Sequence, residues 1–281
     1  MAMQANRPKC PSCASLEVDN FGAIPASRGF AGVKERTYLK SHYIDADPAH
    51  WRSELANRND WQIAQRWIKQ LGSKIDILDI GCWDGTFLAQ AAPGQRLFGI
   101  EPATVAREQA TLRGVQVVGT SLEDLDLKHY ARKFDVVTSF DVIEHVPYPL
   151  EFLDAAKKLL RPGGRIILST GNFSAAEFSL MRAAYWYCVI SEHVIFLSPK
   201  WIDFAAASLS CRVEKMSFFS HIQGTPTLYA KQTVANIIYW FAPAFFDLLC
   251  RSRPGKKGSP RDAVPPCWAS SMDHFIVELA F

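Results

Sequence analysis

The sequence predicts an α/β protein: a doubly wound, mostly parallel seven-stranded sheet with helices on both faces. Three observations predict it. Short apolar runs of strand length recur along the chain, helical patterns separate them, and a glycine-bearing loop stands between the first run and the next helix. Strands that are apolar throughout, rather than alternating, are buried on both faces, as parallel strands covered by helices are. Crossovers in such a sheet are right-handed.

Residues 1–50 are irregular and hold a Cys10-Pro-Ser-Cys13 tetrapeptide. The main domain is expected over 51–281, with an apolar helical insertion at about 226–262. From Trp51 to Leu71 a stripe of Leu55, Trp61, Ile63, Ala64, Trp67, Ile68 and Leu71 has roughly helical spacing, and Gly72 stops it. Ile75–Ile80 is the first strand and Thr86–Ala91 starts a helix that Pro93-Gly94 ends. Arg96–Glu101 is the second strand, Ala103–Arg113 a helix stopped by Gly114, and Val115–Val118 a third strand. Phe134–Phe140 is the fourth. Pro149–Leu160 is a helix ended by Arg161-Pro-Gly-Gly164, and Arg165–Thr170 is the fifth strand. Beyond it, Pro199–Leu209 reads as a helix, and Val213–Ser220 and His274–Phe281 as the last two strands.

The 281 residues suffice for one large α/β domain with additions. An apolar fraction of 48% and a charged fraction of 21% are ordinary for a globular chain. The net charge of +3 is too small to argue for nucleic acid, and no nucleic-acid partner is expected. Seven scattered cysteines, an odd number, argue against a disulfide framework and for a reducing compartment. The first long apolar run begins near Ile75, so no secretory signal is read. The expected location is cytoplasmic, or peripheral at the inner face of the membrane.

The strongest motif is Asp79-Ile-Gly-Cys-Trp-Asp-Gly85, directly after the first strand. Gly81 and Gly85 let the backbone turn sharply and approach a ligand, and the helix beyond offers unpaired N–H groups. Glu101, at the end of the second strand, is placed to accept hydrogen bonds from a ribose diol. The glycines do not have the G-x-G-x-x-G spacing of a pyrophosphate loop, and Asp79 and Asp84 repel a phosphate while attracting a cation. S-adenosylmethionine has no phosphate and carries an ammonium and a sulfonium.

At these residues the chain resembles the class I S-adenosylmethionine-dependent methyltransferases, a Rossmann-like family, and within it the ubiquinone-pathway O-methyltransferases and sugar methyltransferases. The Asp79–Gly85 segment resembles the family's first motif. Ser121-Leu-Glu-Asp124 falls where adenine contacts are usual, Phe134–Phe140 is similar to the fourth strand, and Leu160–Gly164 to the turn before the fifth. The resemblance implies cofactor contacts from Asp79, Gly81, Cys82, Trp83, Gly85, Glu101, Pro102, Ser121, Leu122 and Phe140. Trp83 departs from the pattern, because the family often has glycine there.

The fourth strand delivers Asp141-Val-Ile-Glu-His145 to the carboxyl edge, where ligands bind in open α/β sheets. In a helical turn Asp141, Glu144 and His145 share a face. His145 then acts as a general base with Glu144 orienting it, or the three hold a divalent metal, or they only pack and cap the loop. His193, in the segment that lines the acceptor side in the family, touches substrate, replaces His145 as base, or is a surface histidine. Cys10 and Cys13 are half of a zinc ribbon or an inert pair, with no second Cys or His pair close by.

Leu228–Cys250 is almost long enough to span a bilayer, but Lys231, Gln232, Asn236, Pro243 and Asp247 interrupt it. It reads instead as an interfacial helical hairpin beside the basic loop Arg251–Arg261, giving peripheral membrane contact through 228–261, or as a lid or homodimer contact. The expected activity is O-methylation of a small or lipid-linked hydroxyl acceptor, sugar or quinone-like. An NAD-dependent oxidoreductase and a non-catalytic membrane-surface protein with a relic cofactor site are the other readings.

Overall fold

In the computed structural model the described residues are 24–25 and 58–281, apart from 92, 177, 179–185, 191, 222–224, 243, 246–247 and 249–271. The Cys10/Cys13 pair and the basic loop after Cys250 lie outside them. One sheet of seven strands organises the domain, in the order β4-β3-β2-β5-β6-β9-β8. β2 (Asp76–Ile80), β3 (Arg96–Ile100), β4 (Gln116–Gly119), β5 (Phe134–Phe140) and β6 (Leu160–Gly171) pair in parallel. β9 (His274–Ala280) inserts antiparallel between β6 and β8 (Arg212–Phe219). A separate two-residue pairing joins β1 (Ile24–Pro25) to β7 (Ile195–Phe196), so part of the N-terminal segment touches the domain.

The order reverses at β2: the chain builds outward to β3 and β4, then returns to β5 on the other side of β2. Such a switch point opens a crevice at the carboxyl ends of the strands. Every residue of β2 and β9 is buried, as strands covered on both faces require. One core face packs α4 (Pro149–Leu159) and α6 (Pro199–Ser208) through Leu153, Trp201 and Ile202 against Leu78, Val137 and Leu168. The other packs α1 (Asn59–Leu71) through Trp61, Ala64 and Ile68 against Ile77, Val136 and Ile167.

Several expectations shift. The helix expected over Thr86–Ala91 is a single 3-10 turn, Leu88–Gln90. Its backbone bonds Gln90 N–H to the Phe87 carbonyl, and Pro93, which has no N–H to donate, follows within three residues. The fifth strand begins at Leu160 rather than Arg165, because Phe134 pairs Leu160 before the Pro-Gly-Gly irregularity and Val136 pairs Arg165 after it. The short α3 (Leu127–Tyr130) was not expected; the Asp126 carboxylate caps it by accepting from Lys128 N and His129 N. α2 (Thr104–Leu112) and α5 (Trp186–Val189) complete the body, and α7 (Pro226–Phe241) forms the described start of the insertion.

Candidate active site

A cavity of about 450 Å³ opens at the switch point, a size usual for small-molecule sites. The loop after β2 forms its floor. Gly81 N–H and Cys82 N–H both donate to the Ile100 carbonyl (2.8 and 3.1 Å), which folds the loop over the end of β3. Gly81 has φ +79°, and a Cβ there would stand 2.5 Å from Val142 Cγ2, so only glycine fits. Trp83 also has positive φ, +48°. Left-handed backbone explains why glycine is common at this position in the resembled family, and here an indole stands on the cavity wall instead.

Of the ten expected cofactor contacts, Asp79, Gly81, Cys82, Trp83, Glu101, Pro102, Ser121, Leu122 and Phe140 line this cavity. Gly85 does not. It packs against α2 and the residue before β4, where a Cβ would meet Ala110 Cα at 3.0 Å and Val115 Cγ2 at 3.1 Å. Its glycine serves close helix–loop packing.

Two buried acids face the cavity. Asp79 accepts from Thr138 Oγ1 (2.7 Å), its neighbour across the β2–β5 pairing. Glu101 accepts from Trp83 N–H at Oε2 (2.9 Å) and from Ala103 N–H at Oε1 (2.8 Å). Burial raises both pKa values to about 7, against the hydrogen bonds that favour ionisation. Carboxylates desolvated in this way gain most from a cationic or hydroxyl-rich ligand.

Sequence reasoning missed Arg58, which precedes α1 and lines the cavity. Its guanidinium reaches Asp60 (2.5 Å) and Asp141 (2.6 Å) and lies over the Trp61 ring. Burial opposes its charge, but Asp141 and Asp60 hold its pKa above the ordinary arginine value. The sequence signal was an acid, Asp60, in the first turn of a helix, which is common and does not point to Arg58.

The expected trio of Asp141, Glu144 and His145 does not assemble. Asp141 turns toward Arg58 with φ +52°, and although burial works to raise its pKa, the guanidinium holds it well below the usual range. A carboxylate bound to arginine is not a ligand for a divalent cation, which the guanidinium would repel. The 3-10 turn Ile143–His145 instead brings Glu144 and His145 to His193, with one ligand atom of each within 4.8 Å of the others. Both Glu144 oxygens already accept hydroxyls, from Tyr187 (2.7 Å) and Thr170 (2.9 Å). Burial, then Asp141, raises the Glu144 pKa. Glu144 therefore anchors to α5 and β6, and His145 takes its orientation elsewhere: its Nδ1 lies 2.9 Å from the Glu192 carbonyl.

His145 lines the cavity; Glu144 and His193 are not among its lining residues. His193 is buried rather than at the surface, with Nδ1 2.9 Å from the Tyr187 carbonyl and its ring edge-on to His145. Burial pushes its pKa well below the usual histidine value.

A methyltransferase-domain family model matches residues 42–207, more than half of the chain. The ubiquinone biosynthesis O-methyltransferase of Haemophilus ducreyi is 34% identical over 164 residues, covering 51% of this chain and 69% of that protein. Its Escherichia coli counterpart is 34% identical over 145 residues, covering 49% and 57%. The chain thus spans about two thirds of the first and somewhat over half of the second. Among solved structures, a putative methyltransferase of Haloferax volcanii, in complex with the Trm112 activator, superposes with a TM-score of 0.55 at 13% identity, covering 88% of this chain and 98% of that one. A methyltransferase from Haemonchus contortus, solved with phosphomonomethylethanolamine and S-adenosylhomocysteine, gives 0.55 at 15% identity, covering 86% and 60%. These structural likenesses show the fold. The sequence matches and the glycine loop decide against a nicotinamide enzyme: the chain belongs to the methyltransferase-domain family and is an S-adenosylmethionine-dependent methyltransferase.

Proposed function

We propose that the protein methylates a hydroxyl oxygen on a small or lipid-linked acceptor, sugar or quinone-like, with His145 as the general base. The observation that carries this reading is the ring of His145. A backbone carbonyl only accepts hydrogen bonds, so in the neutral ring Nδ1, beside the Glu192 carbonyl, carries the hydrogen and Nε2 the lone pair. That ring stands on the wall of the cavity that holds the glycine loop. A general base must meet the acceptor proton there. The curated relatives named as O-methyltransferases agree with an oxygen acceptor.

The bound cofactor supplies an activated methyl group. The chain's own task is to hold and orient. Glu101 would hold the ribose hydroxyls, Asp79 the charged end, and Leu122 and Phe140 the flat base. Arg58 and His145 are the basic groups among the described lining residues, and Arg58 suits the cofactor's carboxylate. The acids here are already engaged, Asp141 by Arg58 and both Glu144 oxygens by Tyr187 and Thr170, which disfavours a divalent metal. Cys10 and Cys13 lie outside the described residues. Among those residues no helix is long and apolar enough to cross a membrane, and the scattered cysteines favour the cytoplasm.

The test is turnover with labelled cofactor, first in cell extract to identify the methylated product by mass, then with that acceptor and a His145→Ala variant. Turnover falls about 10²–10⁴-fold with cofactor affinity unchanged. Near-normal turnover would remove His145 from the chemistry, and a product methylated on nitrogen or carbon would remove the hydroxyl acceptor.

A further inference from the structure

We propose that α7 and the residues just after it form a docking surface for an anionic lipid membrane, placed at the same edge of the sheet as the cavity. The first ground is burial. None of the described residues of α7 is buried, nor are Ala244, Phe245 and Leu248 beyond it. Large apolar side chains are open to solvent: Leu228 at 37%, Val234 at 56%, Ile237 at 52%, Phe241 at 87%, Phe245 at 52% and Leu248 at 62%. A 16-residue helix is marginal in water without tertiary packing. This one has an apolar stripe and no partner for it within the described domain.

The stripe is regular. Ala230, Val234, Ile237 and Phe241 follow one another at intervals of four, three and four, so they share one helix face. Such a helix lies along an interface with its apolar face down.

Charge and chain length choose the occupant. Residues 251–261 contain Arg251, Arg253, Lys256, Lys257 and Arg261 and no acid. Arg251 and Arg253 follow Leu248 by three and five residues, so connectivity alone keeps them within ~18 Å of it. A basic run tethered beside an apolar stripe matches an anionic lipid surface, which attracts each Lys or Arg held near it. A second copy of the chain fits less well: a basic run meets itself across a two-fold interface, and six exposed apolar side chains fall short of the roughly 20–30 residues per side of a stable protein contact.

Topology sets the orientation. β8 ends at Phe219 and β9 begins at His274, and these residues pair next to Gly171 at the carboxyl end of β6. The insertion therefore leaves and rejoins the sheet at the edge where the cavity opens. A membrane held by α7 would lie on the cavity side of the molecule, which suits a lipid-linked acceptor. The docking itself does not depend on which acceptor is methylated.

The experiment is co-sedimentation of the full chain with phosphatidylcholine vesicles, with and without about one third phosphatidylglycerol. It is repeated with an Ile237→Asp/Phe241→Asp double variant, whose S-adenosylhomocysteine affinity, read by calorimetry, reports that the fold is intact. The wild type binds the anionic vesicles, binds the neutral ones at least about tenfold more weakly, and releases at 1 M salt, where charges are screened beyond about 3 Å. The double variant loses at least about tenfold of the anionic binding. Absence of vesicle binding overturns the proposal, as does equal binding by the variant. So does a concentration-dependent dimer that the double variant dissolves while no vesicle binds; α7 would then be a contact between two copies. Vesicle binding is read without turnover, so its failure is separate from failure of the O-methylation reading.

Discussion

At Asp79 and Glu101 two effects oppose each other. Burial penalises ionisation and places both pKa values at about 7, from ordinary values of 3.8 and 4.5. In the proposed placement the cofactor would need them ionised, because its ammonium and sulfonium would face one and its ribose hydroxyls would donate to the other. For affinity, protonated acids must lose a proton before they bind well, so Kd rises as pH falls below about 7 and levels off above it. Calorimetry from pH 5.5 to 8.5 checks this. For stability, a buried acid with a raised pKa favours the folded state below its unfolded value and loses that advantage as pH rises through the folded value. The ligand-free protein is therefore expected to lose thermal stability between about pH 4 and pH 7 through these two groups, and the cofactor to restore more of it at pH 8 than at pH 6. A flat affinity profile would show that these acids are already ionised without ligand. These two acids were legible in the sequence because each stands at a strand end beside the glycine loop. The role of Asp141 was not, since local spacing gives no sign that a guanidinium 83 residues earlier would claim it.

At the scale of elements, the start of α1 is pinned to the ends of two strands. Asp60 accepts from Ser169 Oγ on β6 (2.7 Å), and Arg58 bridges Asp60 to Asp141 beyond β5. Arg58→Met leaves two acids without their cation, and a cost of about 3–5 kcal/mol is expected in chemical denaturation. The two loop glycines separate by the same logic. Gly85→Ala meets the backbone of α2 and lowers stability by about 1–3 kcal/mol. Gly81→Ala presses on Val142 at the cavity wall, so it weakens cofactor binding as well. Thermal shift and calorimetry on both variants distinguish the two roles; equal loss of affinity in both would contradict them. The glycines themselves were legible from sequence, but the division between them was not, because it depends on what packs behind each. The helix expected after Gly85 was likewise over-read. The apolar pattern of Phe87, Leu88 and Ala91 is real, but the chain turns at Pro93 after one 3-10 turn.

For the whole molecule, alternation of apolar runs and helices was enough to predict the mostly parallel sheet and the edge that carries the cavity, but not that β9 inserts antiparallel between β6 and β8. Parallel strands buried on both faces write a continuous apolar signal, and β2, β5 and β6 show it clearly. Contacts between distant segments left no such signal. The pairing of β1 with β7 and the meeting of His145, His193 and Tyr187 depend on how loops cross the sheet, which composition and period do not encode. The proposed function depends on one cavity at the β2–β5 switch point gripping a nucleoside through Glu101. Titration calorimetry of the purified protein with S-adenosylhomocysteine, beside a Glu101→Ala variant, tests it most directly. Saturable heat with one site per chain, weakened at least about tenfold by the variant, is the expected result, because two or more charge-assisted hydrogen bonds to the ribose are lost. No heat and no thermal shift with either S-adenosylmethionine or S-adenosylhomocysteine, or equal affinity in the variant, would contradict it.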